Sequence, residues 1–268
     1  MDIKDFKTYF EQKPAQSRIE RSKYIKINKK MKKFYLFFIF ILLGLVFTGI
    51  SCLKKETATV DYNPQINPSD FTEVIDNQYL TFTPGQKMIY QVKTEEGTER
   101  IEVETLNETK EVMGVTCRVV HDQVFLNDQL IENTKDWYAQ DKDGNVWYFG
   151  EETAEYENGE IISTKGAWEG GIDGALPGIV MYANPEVGQE YRQEYYKGEA
   201  EDMGEIIALN EKVEIAYGTF ENCLKTRDWT PLEKRVDEYK YYCPEVKTLV
   251  KEEGIYSNEI VELIEIQK

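Results

Sequence analysis

Histidine is almost absent from this chain: His121 is the only one in 268 residues. A His-rich zinc site is therefore excluded, and any His-containing triad would have to run through that one imidazole. It lies within Val115–Leu126, a stretch that reads as a strand, where a structural role fits better than that of a base. Other catalytic signatures are missing too. The chain has no nucleophile elbow, no His-Glu-x-x-His, no phosphate loop and no dinucleotide fingerprint. No segment carries a sustained helical stripe. Positive charge is also short, with 32 Lys and Arg against 49 Asp and Glu. Residues 1–51 hold 11 of the basic residues and 4 of the acidic ones, so the 217 residues from Cys52 onward carry 21 against 45, a net charge near −24. Such a field repels nucleic acid and anionic surfaces, which excludes nucleic-acid binding, and it favours solubility or cations.

The long apolar run that does occur is Phe34–Ile50, preceded by Lys29, Lys30, Lys32 and Lys33. A basic segment followed by an apolar core of this length predicts a secretory signal peptide, read as a signal helix over residues 34–51. It ends in Gly49-Ile50-Ser51-Cys52, which resembles a bacterial lipobox with Gly in place of the usual Leu. The expectation is cleavage between Ser51 and Cys52 and lipidation of the Cys52 sulfur, palmitate included. Two or three acyl chains, at roughly 0.8 kcal/mol per buried methylene, would hold the protein on the membrane. The alternative is an uncleaved anchor, since 17 apolar residues are near the lower limit for a spanning helix. Both readings place the rest of the chain outside the cytoplasm, in the cell envelope. Residues 1–33 form a polar extension and basic region. Met31-Lys32-Lys33 would be an ordinary start for such a signal, so this extension reads as a start-site artefact or a short cytoplasmic tail.

Residues 52–69 form a flexible tether with Pro64 and Pro68 and no apolar period. From residue 70 to 268 the chain reads as one β-rich exported domain. Its clearest hairpin is Asp136–Glu151, where Trp137-Tyr138 and Trp147-Tyr148-Phe149 flank the turn Asp141-Lys142-Asp143-Gly144-Asn145. Further strands are predicted at Lys87–Thr94, Arg100–Leu106, Val115–Leu126, Leu130–Gln140 and Val146–Gly150. Arg100–Leu106 alternates cleanly, with Ile101, Val103 and Thr105 opposite Glu102 and Glu104. The fold class is mainly all-β: a curved antiparallel sheet or half-barrel.

Landmarks recur at an offset of 103 or 104 residues. Gly85-Gln86 returns as Gly188-Gln189, Leu106-Asn107-Glu108 as Leu209-Asn210-Glu211, and Trp137-Tyr138 as Tyr241-Tyr242. Two pseudo-repeated halves are expected, at about 80–150 and 185–254. The connecting segment 151–184 is the least strand-like part. Its Gly-rich run 166–178, with Trp168, reads either as a lid over a site or as a crossover packing Trp168 and Leu176 on the sheet.

Candidate chemistry is sparse. Besides Cys52, the cysteines are Cys117, Cys223 and Cys243, an odd count for an oxidising compartment. A hairpin centred near Glu233 would set Cys223 opposite Cys243, which allows a disulfide; two buried thiols are the other reading. Asp141, Asp143 and Asn145 resemble part of a calcium loop, but the Gly and Glu of an EF-hand are out of position, and the same residues suit a metal-free turn. No other cofactor is expected. Trp137, Trp147 and Trp168 are the candidate ligand-binding rings. Paired carboxylates such as Glu169 and Asp173 would serve a hydrolase.

Asp136–Glu151, Tyr191–Gly204 and Tyr217–Lys251, with Tyr217-Gly218-Thr219-Phe220, Tyr241-Tyr242-Cys243-Pro244 and Thr248-Leu249-Val250-Lys251, resemble an uncharacterised family of bacterial exported lipoproteins, similar to TapB-like proteins. The resemblance implies a curved antiparallel sheet like the half-barrels of lipoprotein carriers and brings no catalytic residue. The expected function is a cell-envelope lipoprotein, membrane-bound through its lipid, whose non-catalytic domain binds or carries an apolar small molecule or serves as a surface scaffold. A carbohydrate-binding surface lipoprotein and a carboxylate-based hydrolase are the alternatives.

Overall fold

The computed structural model describes residues 62–94 and 97–268. The polar extension, the signal segment, the Ser51–Cys52 lipidation site and most of the tether lie outside the described residues. Among the described residues there is no α-helix, and no helix long and apolar enough to cross a membrane.

Two short strands and four long ones open the chain: β1 (Phe71–Thr72), β2 (Lys87–Thr94), β3 (Gly97–Val112), β4 (Val115–Leu126), β5 (Gln129–Asp141) and β6 (Val146–Glu157). Short segments follow: β7 (Glu160–Ser163), β8 (Trp168–Glu169), β9 (Leu176–Met181), β10 (Glu190–Arg192) and β11 (Glu194–Tyr195). A second long series closes it: β12 (Met203–Ile215), β13 (Gly218–Trp229), β14 (Asp237–Cys243), β15 (Thr248–Gly254) and β16 (Ile260–Gln267). All pairings are antiparallel, and the main path runs β10-β12-β13-β14-β15-β16-β2-β3-β4-β5-β6-β9-β11, with β1 on β5 and β7 and β8 on β6. Strands β10 and β11 stand at opposite ends of that path yet are separated in the chain by Gln193 alone. The sheet is therefore curled into a nearly closed, barrel-like wall, more complete than a half-barrel. Curling in this way removes the exposed edges that a flat sheet would leave for aggregation.

The two long series match in spacing. Strands β3 and β12 end, and β4 and β13 begin and end, 103 residues apart. Gly85 donates its N–H to Thr105 O and Gly188 to Ile206 O, so the Gly-Gln turn meets a long strand in both series. The segment 151–184 departs from expectation. Strand β6 continues through Glu157, and β7, β8 and β9 pair with it. Polar residues obscured that continuation. Thr153 is buried, its hydroxyl 2.7 Å from that of Thr134 across the ladder, so here polar side chains, not apolar ones, occupy the covered face.

The wall has two unlike ends. At the lower end lie the turns 113–114, 142–145, 216–217 and 244–247. Here residues 71–86 fold across the opening. Ile75, Leu80 and Phe82 are buried against Val120, Val146, Met181, Ile206 and Leu224, which come from five strands. Hydrogen bonds pin this plug: Gln140 Nε2 to Asp76 Oδ1 (2.7 Å), Asn77 Nδ2 to Gly144 O (2.9 Å) and Thr81 N to Lys247 O (2.9 Å). The upper end carries the turns at 127–128, 158–159, 230–236 and 255–259, and no such plug crosses it among the described residues.

Candidate functional site: an acid-lined interior

Period-two alternation puts every second residue of a strand on the inner face. On β5 these are Glu132, Thr134, Asp136 and Tyr138. The ladder pairs the first three with Glu155, Thr153 and Glu151 of β6. On the other side of the barrel Asp228 of β13 is opposite Glu238 of β14, and Lys240 of β14 is opposite Glu252 of β15. Two adjoining chambers lie between these walls, of about 220 and 230 Å³. The upper one is lined by Glu132, Asp136, Glu151, Trp229, Glu238 and Glu252, among others. The lower one rests on Leu80 and Phe82 of the plug and is walled by Met88, Val103, Val120 and Val261. Both share Asp136, Tyr148, Asp202, Asp228, Lys240 and Leu249. Among the described residues, nine acidic side chains and one basic side chain line the two.

Each wall manages its charge differently. On β13–β15, Lys240 Nζ lies 2.9 Å from Glu238 Oε1, 3.2 Å from Asp228 Oδ2 and 3.9 Å from Glu252 Oε2. Burial by itself would lower the ammonium pKa. The three carboxylates outweigh it and hold the group well above the usual lysine range. Asp228 also accepts from Gln193 Nε2 (2.9 Å) and from the Thr226 hydroxyl (2.7 Å). On β5–β6, Tyr148 offers one hydroxyl to two acids, Asp136 Oδ1 at 2.8 Å and Glu151 Oε2 at 3.1 Å. That hydroxyl has one proton, so it donates to one of them at a time. Burial, and then Asp136 and Glu151, raise the Tyr148 pKa well above the ordinary phenol value. Tyr148 stacks on Tyr138 (4.9 Å) and Tyr138 on Phe82 (4.6 Å), an aromatic column from the carboxylates down to the plug.

The seam that closes the barrel borders these chambers. Gly178 and Gly204 make it possible. A Cβ on Gly178 would come within 2.4 Å of Arg192 O, and one on Gly204 within 2.4 Å of the Tyr191 ring. Gln193 N bonds to Asp202 O (2.8 Å), extending the β10–β12 ladder to the seam. The Asp202 carboxyl is pushed up to about 7, chiefly by burial. Thr230 and Lys240 oppose that shift, and Glu238 and Asp228 add to it. The folded state thus holds this proton more tightly than the unfolded chain, whose aspartates titrate near 4. The associated stability is complete below about pH 4 and fades as pH rises toward 7. Asp202→Asn should therefore leave stability at pH 4 nearly unchanged and raise it at pH 8. Urea melts at the two pH values measure this; an equal effect at both would contradict the assignment.

The residues singled out by sequence lie elsewhere. Trp137 is buried with Val119, Ala139 and Phe149, and Lys110 Nζ sits 3.7 Å over its ring. Trp147 donates Nε1–H to Asp141 Oδ2 (2.9 Å) and meets Phe71 edge-on. Trp168 is buried against Tyr148 and Ala175, so the 166–178 run packs as a crossover. None of the three lines either of these two chambers. Asp141 accepts the N–H groups of Asp143 and Asn145, the Asn145 amide and the Trp147 indole. Asn145 Oδ1 accepts Ala183 N–H. These oxygens are engaged in holding a turn, and among the described residues no three or more His, Cys, Asp or Glu are grouped to bind a metal. Glu169 pairs with Lys110 (2.9 Å), and His121 Nε2 lies 2.8 Å from Asn133 Oδ1. Cys223 and Cys243 form a disulfide across β13 and β14 (Cα–Cα 4.3 Å), and Cys117 is a buried free thiol.

Sequence reasoning missed the chamber acids because charged residues are expected on the outer face. One signal was present: within β14, Glu238-Tyr239-Lys240-Tyr241 alternates charge and ring. No protein-family model, no curated protein and no solved structure matches this chain.

Proposed function

We propose that this chain is a cell-envelope lipoprotein, moored through Cys52, whose barrel binds or carries a small organic molecule. The observation that carries the reading is the pair of adjoining chambers, stoppered below by the chain's own residues 71–86 and walled by strands from both halves. Concave sites with an apolar wall and a few convergent polar groups are where small ligands bind. A solid core would leave only a scaffold role. The mooring rests on the basic and apolar run ending in Ser51-Cys52; Cys52→Ser should abolish palmitate labelling and signal cleavage together.

The binding reading is tested by filling the space. Leu249 lines both chambers and is only partly buried. Leu249→Trp places an indole where they adjoin. The unaltered protein should bind an environment-sensitive apolar dye one to one, and the variant at least tenfold more weakly with its melting temperature within a few degrees. Absence of saturable dye binding by the unaltered protein would overturn the reading.

A further inference from the structure

We infer that the ligand is an organic cation with an apolar body, a protonated amine or a quaternary ammonium, its charge held between Asp136, Glu151 and Asp228 and its carbon part directed to the plug. This rests on the carrier reading above and narrows it. Three features of the interior converge on that chemistry. The first is the sign of the lining, nine carboxyl groups to one ammonium among the described residues. The ammonium is already engaged, 2.9 Å from Glu238 and 3.2 Å from Asp228. A cation entering such a space gains from acids on two facing walls, whereas an anion would meet like charge.

The second feature is polarity along the barrel axis. Acids dominate the chamber toward the upper rim, while Leu80, Phe82, Met88 and Val261 line the one below. A wholly polar cation would leave the lower chamber unused, and a hydrocarbon would desolvate carboxylates without compensation. An amphiphile satisfies both. The third is the aromatic column Phe82–Tyr138–Tyr148, whose rings line the chambers beside the carboxylates. Such rings offer apolar carbon next to the acids, which suits an ammonium carried on a hydrocarbon body. A bare metal ion fits less well. It needs several oxygens converging on one point at about 2.0–2.6 Å, and no such group occurs among the described residues.

The test uses the full chain in lipid nanodiscs, with empty nanodiscs as blank, and reads the fluorescence of Trp229, which lines the upper chamber, alongside calorimetry. The probes are 2-phenylethylamine, 2-phenylethanol and 3-phenylpropanoate at pH 8, alike in shape and different in charge. The amine should bind at least tenfold more tightly than either of the others. Asp136→Asn with Glu151→Gln should remove most of that advantage while leaving the alcohol's affinity within about twofold. Glu151→Gln alone should remove part of it, and serves if the double variant does not fold. Equal binding of the three probes, or preference for the carboxylate, would overturn the cationic assignment and leave the carrier reading intact. An amine advantage undiminished in folded variants would overturn the placement at Asp136 and Glu151. No binding of any probe would overturn the inference, with dye binding deciding separately whether the barrel carries anything.

Discussion

Lys240→Ala should cost about 3–5 kcal/mol of folding stability at pH 8, the scale for removing one partner of a buried charge network. The same change should cost much less at pH 5. Asp228, Glu238 and Glu252 now share one ammonium, which stands opposite Glu252 and two positions along β14 from the Asp228–Glu238 pair. Without it, three acids crowd one patch of wall, and the cheapest relief is to take up protons. Their affinity for protons rises, so acidification restores what the substitution removes. In the unaltered protein the sign is that of a cation with a raised pKa. Its contribution is complete below the unfolded lysine value near 10.4 and is lost only as pH climbs past it. Urea titrations at pH 8 and pH 5 measure both arms. A penalty of the same size at the two pH values would mean that Lys240 acts through its packing and not through its charge. Adding Asp228→Asn and Glu238→Gln to Lys240→Ala should recover stability at pH 8, since neutral groups of similar shape need no counter-charge.

Replacing Cys223 and Cys243 together by Ala should cost about 3 kcal/mol, the loop-closure value for a crosslink spanning some 20 residues. For a domain of this size that corresponds to a fall in melting temperature of roughly 6–12 °C. Both sulfurs are fully buried beside Val213, Phe220 and Tyr241, so the cavity left behind adds to the entropic term. Mass analysis of the denatured, unreduced protein should find this bridge intact and the Cys117 thiol free. In the native state Cys117 should resist alkylation. It is buried, and burial pushes its thiol up to about 12 against a modest pull from Lys110. Rapid alkylation of the folded protein would mean that this part of the wall opens.

Much of the architecture could be read from residue order, and the reason the site could not is instructive. Lys87–Thr94 and Val115–Leu126 match observed strands end to end, because alternation and flanking turns define a strand without reference to its surroundings. Arg100–Leu106 underestimates its strand, which runs to Val112 past a bulge between Thr105 and Thr109. Asn107, Glu108 and Thr109 carry no apolar signal there. Strand β6 beyond Gly150 went unread for a related reason: Glu151 and Thr153 present polar atoms to the interior. Alternation assigns residues to two faces but does not say which face is inside. On β14, convention would turn Tyr239 and Tyr241 inward and leave Glu238 and Lys240 to water. The structure reverses this. The rings lie on the other side, where Lys225 Nζ sits 3.8 Å from the Tyr239 ring and 5.1 Å from that of Tyr241. Only the ladder register, which no single strand contains, sets Lys240 against Glu252 and Asp136 against Glu151.

The place of the final strand sets the order in which this molecule can be made. Residues Ile260–Gln267 pair on one side with the strand just before them and on the other with Lys87–Thr94, near the start of the folded part. A chain emerging from its amino end delivers the stopper first, then most of the staves, and receives the stave that joins both series last. Until then two edges stand apart with their backbone groups unmatched, and the pairing that ends this state spans more than 160 residues of sequence. Assembly of that kind is slow and prone to sticking to its neighbours. Loss of the last eight residues would leave a split cask, aggregating before it could hold anything.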